Sequence, residues 1–219
     1  CFDEWNVWYH NRKEDDQRIK EWDWPVAPAL LEEVYNFEDA LLVASLLNVF
    51  IRRADRVKIA CMAQLVNVIA PILTREGGPA WAQTIYYPLQ FASKYGRGTA
   101  LNVSVDGPTY DCDVSQDVPY LDTSAVLAED GKSLNIFLIN RHLDDDLTLD
   151  MALEGFGAAS VIEHSELSGF KLEDRNTIDA PATVTPKKGS GVALQDGKLV
   201  GALKPLSYHL IRISVDASA

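Results

Sequence analysis

Cysteine is scarce: Cys1, Cys61 and Cys112 are too few and too scattered along 219 residues for a disulfide framework or a CxxC metal site. That usage suits a reducing, cytoplasmic setting. Long apolar runs are missing too. The most apolar stretch, 40–51, holds Ser45 and Asn48 and is too short to span a bilayer. No basic segment followed by an apolar one marks a signal peptide. Positive charge is in deficit, with 20 Lys and Arg against 32 Asp and Glu for a formal net charge of −12. Such a chain repels polyanions, so neither nucleic acid nor an anionic membrane is expected as partner. No glycine loop suited to phosphate is present, since Gly96-Arg97-Gly98 reads only as a junction. Of the histidines, His10, His142, His164 and His209, none has a second histidine or cysteine at ligand spacing, so neither a metal nor an organic cofactor is expected. Asp144-Asp145-Asp146 and Asp15-Asp16 read as solvated turns, although carboxylates also suit calcium.

What is there divides into two patterns. Residues 1–97 alternate strands and helices. The aromatic and β-branched stretch 1–9 predicts a buried strand. Residues 11–28 mix charges with Trp22, Trp24, Pro25 and Pro28 without a period, and predict a long loop. A helix is predicted from Asn36, which can cap it, with Glu38 and Asp39 in the first turn and Arg52 and Arg53 in the last, each charge favoured by the helix dipole. Residues 56–66 predict a second buried strand. After the Gly77-Gly78-Pro79 break, residues 81–95 predict a helix ended by Gly96. Such an order is the mark of parallel βα units. Two of them cannot cover both faces of a parallel sheet, so further chain before Cys1, or a companion chain, is expected.

Residues 98–219 predict short strands at 100–105, 120–128, 134–140, 147–153, 159–166, 182–186 and 208–215. Turn signals such as Asp106-Gly107-Pro108, Asp130-Gly131 and Asp196-Gly197 punctuate them. Short strands without helices imply an antiparallel β-sandwich of jelly-roll type.

The opening ten residues carry the chemistry. In a strand, Phe2, Glu4 and Asn6 point one way and Asp3 and Trp5 the other. A carboxylate among aromatics near the C-terminal end of a barrel strand lies where barrel active sites are built. Aromatic faces suit the apolar side of a sugar ring, and glycoside cleavage with retention needs two carboxyl groups. On chemistry alone Glu4 serves as nucleophile or as acid, or is a strand-end acid paired with an arginine. Asp3 reads as a supporting or structural group. Gln64 lies in an apolar stretch where its amide must find partners.

Phe2-Asp3-Glu4-Trp5-Asn6-Val7-Trp8-Tyr9 resembles the nucleophile strand of the α-L-arabinofuranosidases of glycoside hydrolase family 51. The resemblance continues through Val26-Ala27-Pro28, Phe37-Glu38-Asp39-Ala40-Leu41, Ala54-Asp55-Arg56-Val57-Lys58-Ile59-Ala60 and Ala63-Gln64-Leu65-Val66-Asn67-Val68-Ile69-Ala70-Pro71-Ile72, and extends weakly to Pro205-Leu206-Ser207-Tyr208. It implies that residues 1–97 are the end of a (β/α)8 TIM barrel and 98–219 a β-sandwich. It implies that Glu4 is the catalytic nucleophile on the seventh barrel strand, that Trp8 lines the sugar pocket and that Gln64, at the end of the eighth strand, binds substrate. The family's acid/base glutamate, on the fourth strand after an asparagine, has no counterpart here. The implied enzyme is a retaining, exo-acting glycosidase releasing arabinose from arabinan, arabinoxylan or their oligosaccharides. It needs no cofactor, and the resemblance implies a homo-oligomer completed by the N-terminal remainder of the barrel. Trp22 and Trp24 are expected either to form leaving-sugar subsites or to anchor their loop by packing. The alternatives are a non-catalytic carbohydrate-binding or structural subunit and a retaining barrel glycosidase for another sugar.

Overall fold

The computed structural model describes residues 1–8, 20, 21, 26 and 33–216, with backbone alone at 158 and 159. In chain order the first elements are β1 (Phe2–Trp5), α1 (Phe37–Arg52), β2 (Ala60–Met62), β3 (Ile72–Thr74), β4 (Ala80–Ala82), α2 (Tyr86–Tyr95) and β5 (Gly98–Leu101). There follow β6 (Thr109–Cys112), β7 (Ser115–Pro119), β8 (Leu121–Ala128), β9 (Ser133–Asn140), β10 (Leu147–Ala152) and β11 (Gly157–Leu167). The last are β12 (Lys187–Lys188), β13 (Val192–Gln195), β14 (Lys198–Leu203) and β15 (Ser207–Asp216).

A six-stranded antiparallel sheet, ordered β12-β11-β15-β9-β8-β5, lies between two layers. Strand β9 shows why: all eight of its residues, Ser-Leu-Asn-Ile-Phe-Leu-Ile-Asn, are buried. Side chains alternate across a strand, so an apolar run of this kind feeds two cores. Phe137 and Ile139, with Val126, Tyr208, Leu210 and Leu167, pack against Phe37, Ala40, Leu41 and Ala44 of α1 and Phe91 of α2. Leu134, Ile136 and Leu138, with Ile211 and Ile213, pack instead against Leu149, Leu199 and Leu203 of the small antiparallel sheet β10-β14-β13. Fold class is therefore mostly antiparallel β with two helices. The predicted strands at 120–128, 134–140, 147–153, 159–166 and 208–215 match β8, β9, β10, β11 and β15 within a residue or two.

Helix α1 starts where its capping residues dictate. The Asn36 Oδ1 accepts from the Asp39 N–H at 3.0 Å, and Asp39 Oδ2 accepts from the Asn36 N–H at 2.8 Å. Two further N–H groups of its first turn donate to the 168–186 segment, Phe37 to Asp174 O at 2.8 Å and Glu38 to Leu172 O at 3.1 Å. Its last turn is fixed by charge. Arg52 Nη1 donates to Asp122 Oδ1 at 2.5 Å and to Thr123 O at 2.7 Å, both on β8. Asp122 is 4% exposed. Its other oxygen stands 3.3 Å from Arg141 Nη2, at ion-pair distance without hydrogen-bond alignment.

Four expectations need correcting. The strand predicted at 56–66 is only β2, three residues long and not buried, because β1 is its sole ladder partner among the described residues and positive φ angles at Asn67 (65°) and Ile69 (40°) then turn the chain away. The helix predicted from Trp81 begins at Tyr86, since residues 80–82 are paired with β3 in a hairpin that turns through Gly77 at φ 64°. No strand forms at 182–186. There Asn176 accepts from the Val184 N–H at 2.8 Å and donates to its carbonyl at 3.0 Å, satisfying a buried backbone pair without a ladder. The strand predicted at 100–105 stops at Leu101, after its pairing with Ala125. The hairpins β6–β7 and β13–β14 were not foreseen as strands, although Asp196-Gly197 was read as the turn that joins the second. The predicted loop at 11–28 is described only at residues 20, 21 and 26, so Trp22, Trp24, His10 and Asp15-Asp16 lie outside the described residues.

Because Asp122 neutralises a cation between α1 and β8, Asp122→Ala is expected to lower unfolding stability by about 2–3 kcal/mol. Urea denaturation checks this, and a loss under about 0.5 kcal/mol, the range of a surface substitution, would show that the pairing is incidental.

Candidate functional site

Strands β1 and β2 are parallel neighbours, with Phe2 opposite Ala60 and Trp5 opposite Met62. One side of the pair is covered by α1: Trp5 meets Phe50 edge-on with ring centroids 5.0 Å apart, and Trp5 and Val7 share a core with Val43 and Leu47. Glu4 is exposed, as are Phe2 and Asp3; a register shift between Phe2 and Trp5 interrupts the expected alternation, so that both of those rings meet Phe50. Gln64 is exposed two residues beyond the end of β2, after a cis Ala63–Gln64 peptide. Trp8 lies three residues beyond β1 and is 50% exposed. The structure thus brings Glu4 and Gln64 to the C-terminal end of the same parallel pair. Among the described residues no ion pair joins Glu4 to an arginine, the partner that a purely structural acid would call for.

Two polar residues, neither of them singled out as a site, hold this end in place. Asn6 donates to Ala63 O at 2.8 Å and Ile69 O at 2.5 Å while its Oδ1 accepts from the Val7 N–H at 2.8 Å. The Trp5 carbonyl accepts from the Ala63 N–H at 3.1 Å. The backbone just before Gln64 is therefore fixed to the strand that carries Glu4. Below it, the fully buried Gln83 accepts from the Tyr35 N–H at 2.9 Å and donates to Glu33 O at 2.8 Å and Ala70 O at 2.7 Å. Tyr35 in turn donates its hydroxyl to Val7 O at 2.8 Å. A buried amide with every partner met rigidifies what surrounds it. The sequence offered one hint, a glutamine beside apolar neighbours at 83, but nothing local says which carbonyls it reaches.

Leu65 (62%) and Val66 (43%) are exposed apolar side chains at this end, and Phe2 (47%) and Ile59 (57%) are exposed at the opposite, N-terminal end of the pair. Two clefts formed elsewhere, one between residues 52–55 and 100–103 and one between β8, β9 and β10, include neither Glu4 nor Gln64.

The α-L-arabinofuranosidase C-terminal domain profile matches residues 3–207. The chain belongs to the α-L-arabinofuranosidases of glycoside hydrolase family 51. An intracellular exo-α-(1→5)-L-arabinofuranosidase of Halalkalibacterium halodurans is 46% identical over 212 residues, which are 97% of this chain and 41% of that protein. An exo-α-(1→6)-L-arabinofuranosidase of Bifidobacterium longum is 41% identical over 97% of this chain and 41% of its own length. Among solved structures, a family 51 α-L-arabinofuranosidase from Bifidobacterium longum superposes with a TM-score of 0.85 at 32% identity, again over 98% of this chain and 41% of that one. The chain therefore spans about two fifths of the length of the relatives it matches.

Within it, Asn6→Ala is expected to lower stability by about 1.5–3 kcal/mol, by leaving two carbonyls without their donor. Hydrogen exchange at the Ala63 and Val7 amides should accelerate with it. Unchanged exchange at both would mean that Asn6 does not fix this end of β1.

Proposed function

We propose that residues 1–97 are the last strands and helices of a (β/α)8 catalytic barrel, that 98–219 form a jelly-roll-like sandwich, and that the assembled protein is a retaining exo-α-L-arabinofuranosidase. The observation that carries this reading is the placement of Glu4 and Gln64 at the C-terminal end of one parallel strand pair whose other side is covered by a helix. Catalytic residues of such barrels come from that end of the strands. The remainder of the barrel, from the N-terminal part of the protein, supplies the acid/base group and covers the exposed apolar edge of β1 and β2.

In the first step a Glu4 carboxylate oxygen bonds to the anomeric carbon of a terminal arabinofuranosyl unit as the bond to the leaving oxygen breaks. The acid/base residue gives that oxygen its proton. Water then attacks the same carbon from the vacated side, returns a proton to the acid/base residue and frees Glu4, so the configuration is retained. This requires the two carboxyl groups to lie about 5–5.5 Å apart. Trp8 offers a ring face to the sugar, and Gln64 offers an amide to its hydroxyls. No metal or organic cofactor takes part. Arabinan, arabinoxylan and their oligosaccharides are the substrates, reached in the cytoplasm by a homo-oligomer that binds neither nucleic acid nor membrane. The relatives are named for both 1→5 and 1→6 linkages, so the reading extends to the terminal sugar and not to the linkage.

Treating the protein, as isolated from its source, with an arabinofuranose-configured mechanism-based inhibitor and mapping its peptides tests the assignment. The label is expected on Glu4, and residues 1–219 alone are expected to turn over no nitrophenyl arabinofuranoside, since the base that activates water to release the glycosyl-enzyme is not among them. A label on another carboxylate of an active preparation would overturn the role of Glu4.

A further inference from the structure

Far along the chain from Glu4, antiparallel pairing assembles a group that sequence spacing hides. Glu166 on β11 stands opposite His209 on β15, and His164 lies two residues before Glu166 on the same strand face. His164 Nε2 and His209 Nδ1 are 3.0 Å apart, and His209 Nδ1 is 3.9 Å from Glu166 Oε2. One ligand atom from each of the three lies within 4.8 Å of the others. His209 is 1% exposed and Glu166 5%.

The hydrogen bonds around the group fix which lone pairs face it. Ser207 spends its only proton on Lys204 O at 2.5 Å, so at 2.8 Å from His209 Nε2 it accepts. His209 is thereby the Nε2–H tautomer, with its Nδ1 lone pair turned toward His164 and Glu166. Glu166 Oε1 accepts from the Ser168 hydroxyl at 2.8 Å and faces Lys187 Nζ at 3.5 Å. Among the described residues its Oε2 accepts only the long Ser190 N–H contact at 3.4 Å. Gly189 closes over the group: a Cβ there would sit 2.3 Å from His164 Cδ2 and Nε2, so only glycine lets the backbone reach the ring. Burial, foremost, holds both imidazoles below their ordinary range, His209 at about 4, so both are neutral near pH 7. Burial alone would raise the Glu166 carboxyl, but the Ser168 hydrogen bond and the neighbouring charges bring it below its usual value.

We propose that His164 Nε2, His209 Nδ1 and Glu166 Oε2 form a binding site for a divalent cation of the zinc class, tying β11 to β15. Zinc bonded to two imidazoles at about 2.0–2.1 Å and to a carboxylate at about 2.0–2.2 Å sets neighbouring ligand atoms roughly 3.3–3.5 Å apart. The present separations are 3.0 and 3.9 Å for the two pairs that include His209 and within 4.8 Å for the third, so the Glu166 carboxylate closes toward His164 to admit the ion. On binding, the proton on His164 Nε2 moves to its Nδ1 and no bond is made or broken elsewhere. His209 already donates its remote N–H to Ser207, and the carboxylate is itself hydrogen-bonded, both of which are the usual outer partners of metal ligands. Water completes the fourth position of such a site.

The test uses chelator-treated protein with its three exposed cysteines alkylated, titrated with zinc chloride. One equivalent is expected to bind per chain and raise the unfolding temperature, with the imidazole nitrogen resonances of His164 and His209 shifting together in ¹⁵N spectra. In His164→Gln, chosen because that residue is only partly buried, the tight equivalent should vanish while circular dichroism stays the same. Should that variant fail to fold, the wild-type nitrogen shifts decide alone. Unmoved His164 and His209 resonances at saturating zinc, or undiminished binding by a folded His164→Gln, would overturn the site.

Discussion

Helix α1 is buried from two sides, and the placement of β1 against the six-stranded sheet depends on that. Phe37, Ala40, Leu41 and Ala44 follow the i, i+3, i+4 spacing of one face and enter the core of the six-stranded sheet. Val43 and Leu47 fall on another face and enter the core with Trp5, Val7 and Tyr35. Rotation about the helix axis would expose one set or the other. At roughly 1.5–3 kcal/mol for each large apolar side chain returned to water, no such rotation is tolerated. Polar contacts agree with the packing: the buried Asn48 accepts from Ser124 Oγ at 2.7 Å, and Arg52 reaches Asp122 and Thr123. Strand β1 is thus held at a fixed place relative to β8, β9 and β15, although no sheet joins them.

That arrangement gives the strand pair β1–β2 a covered side and an open one. On the proposed reading the open side faces the interior of a barrel most of whose strands lie in the other three fifths of the enzyme. Glu4 and Gln64, exposed here, then line the sugar pocket. Precision comes from the Asn6 and Gln83 amides. Both act on backbone carbonyls and so leave Glu4 itself free for chemistry. On that reading the positioning groups are structural amides and the proposed reacting group is a carboxylate with no ion-pair partner among the described residues.

Much of this was legible in the residue order, for reasons that are local. Asn36 is a favoured cap whose side chain needs only the next three residues, and strands such as 133–140 declare themselves by β-propensity and flanking turns. The proposal of Glu4, Trp8 and Gln64 as site residues rests on the resemblance of their neighbours to the family, since a lone acid in an aromatic strand fits several roles. What failed was set by tertiary partners. Residues 56–66 look like a full strand, yet they form a ladder only where β1 runs alongside. Val184 lies in a β-like stretch, yet Asn176 captures its backbone. The His164–Glu166–His209 group is invisible to spacing rules because 45 positions separate the two histidines and only the β11–β15 register brings them together.

The central claim, that Glu4 attacks the sugar, is tested most directly by chemical rescue of Glu4→Ala in the assembled enzyme. With an activated aryl α-L-arabinofuranoside the variant should be nearly inactive. Added azide, entering the space left by the carboxylate, should restore turnover and give the β-configured arabinofuranosyl azide by NMR. A variant that keeps wild-type activity, or whose azide product has the α configuration, would contradict the account.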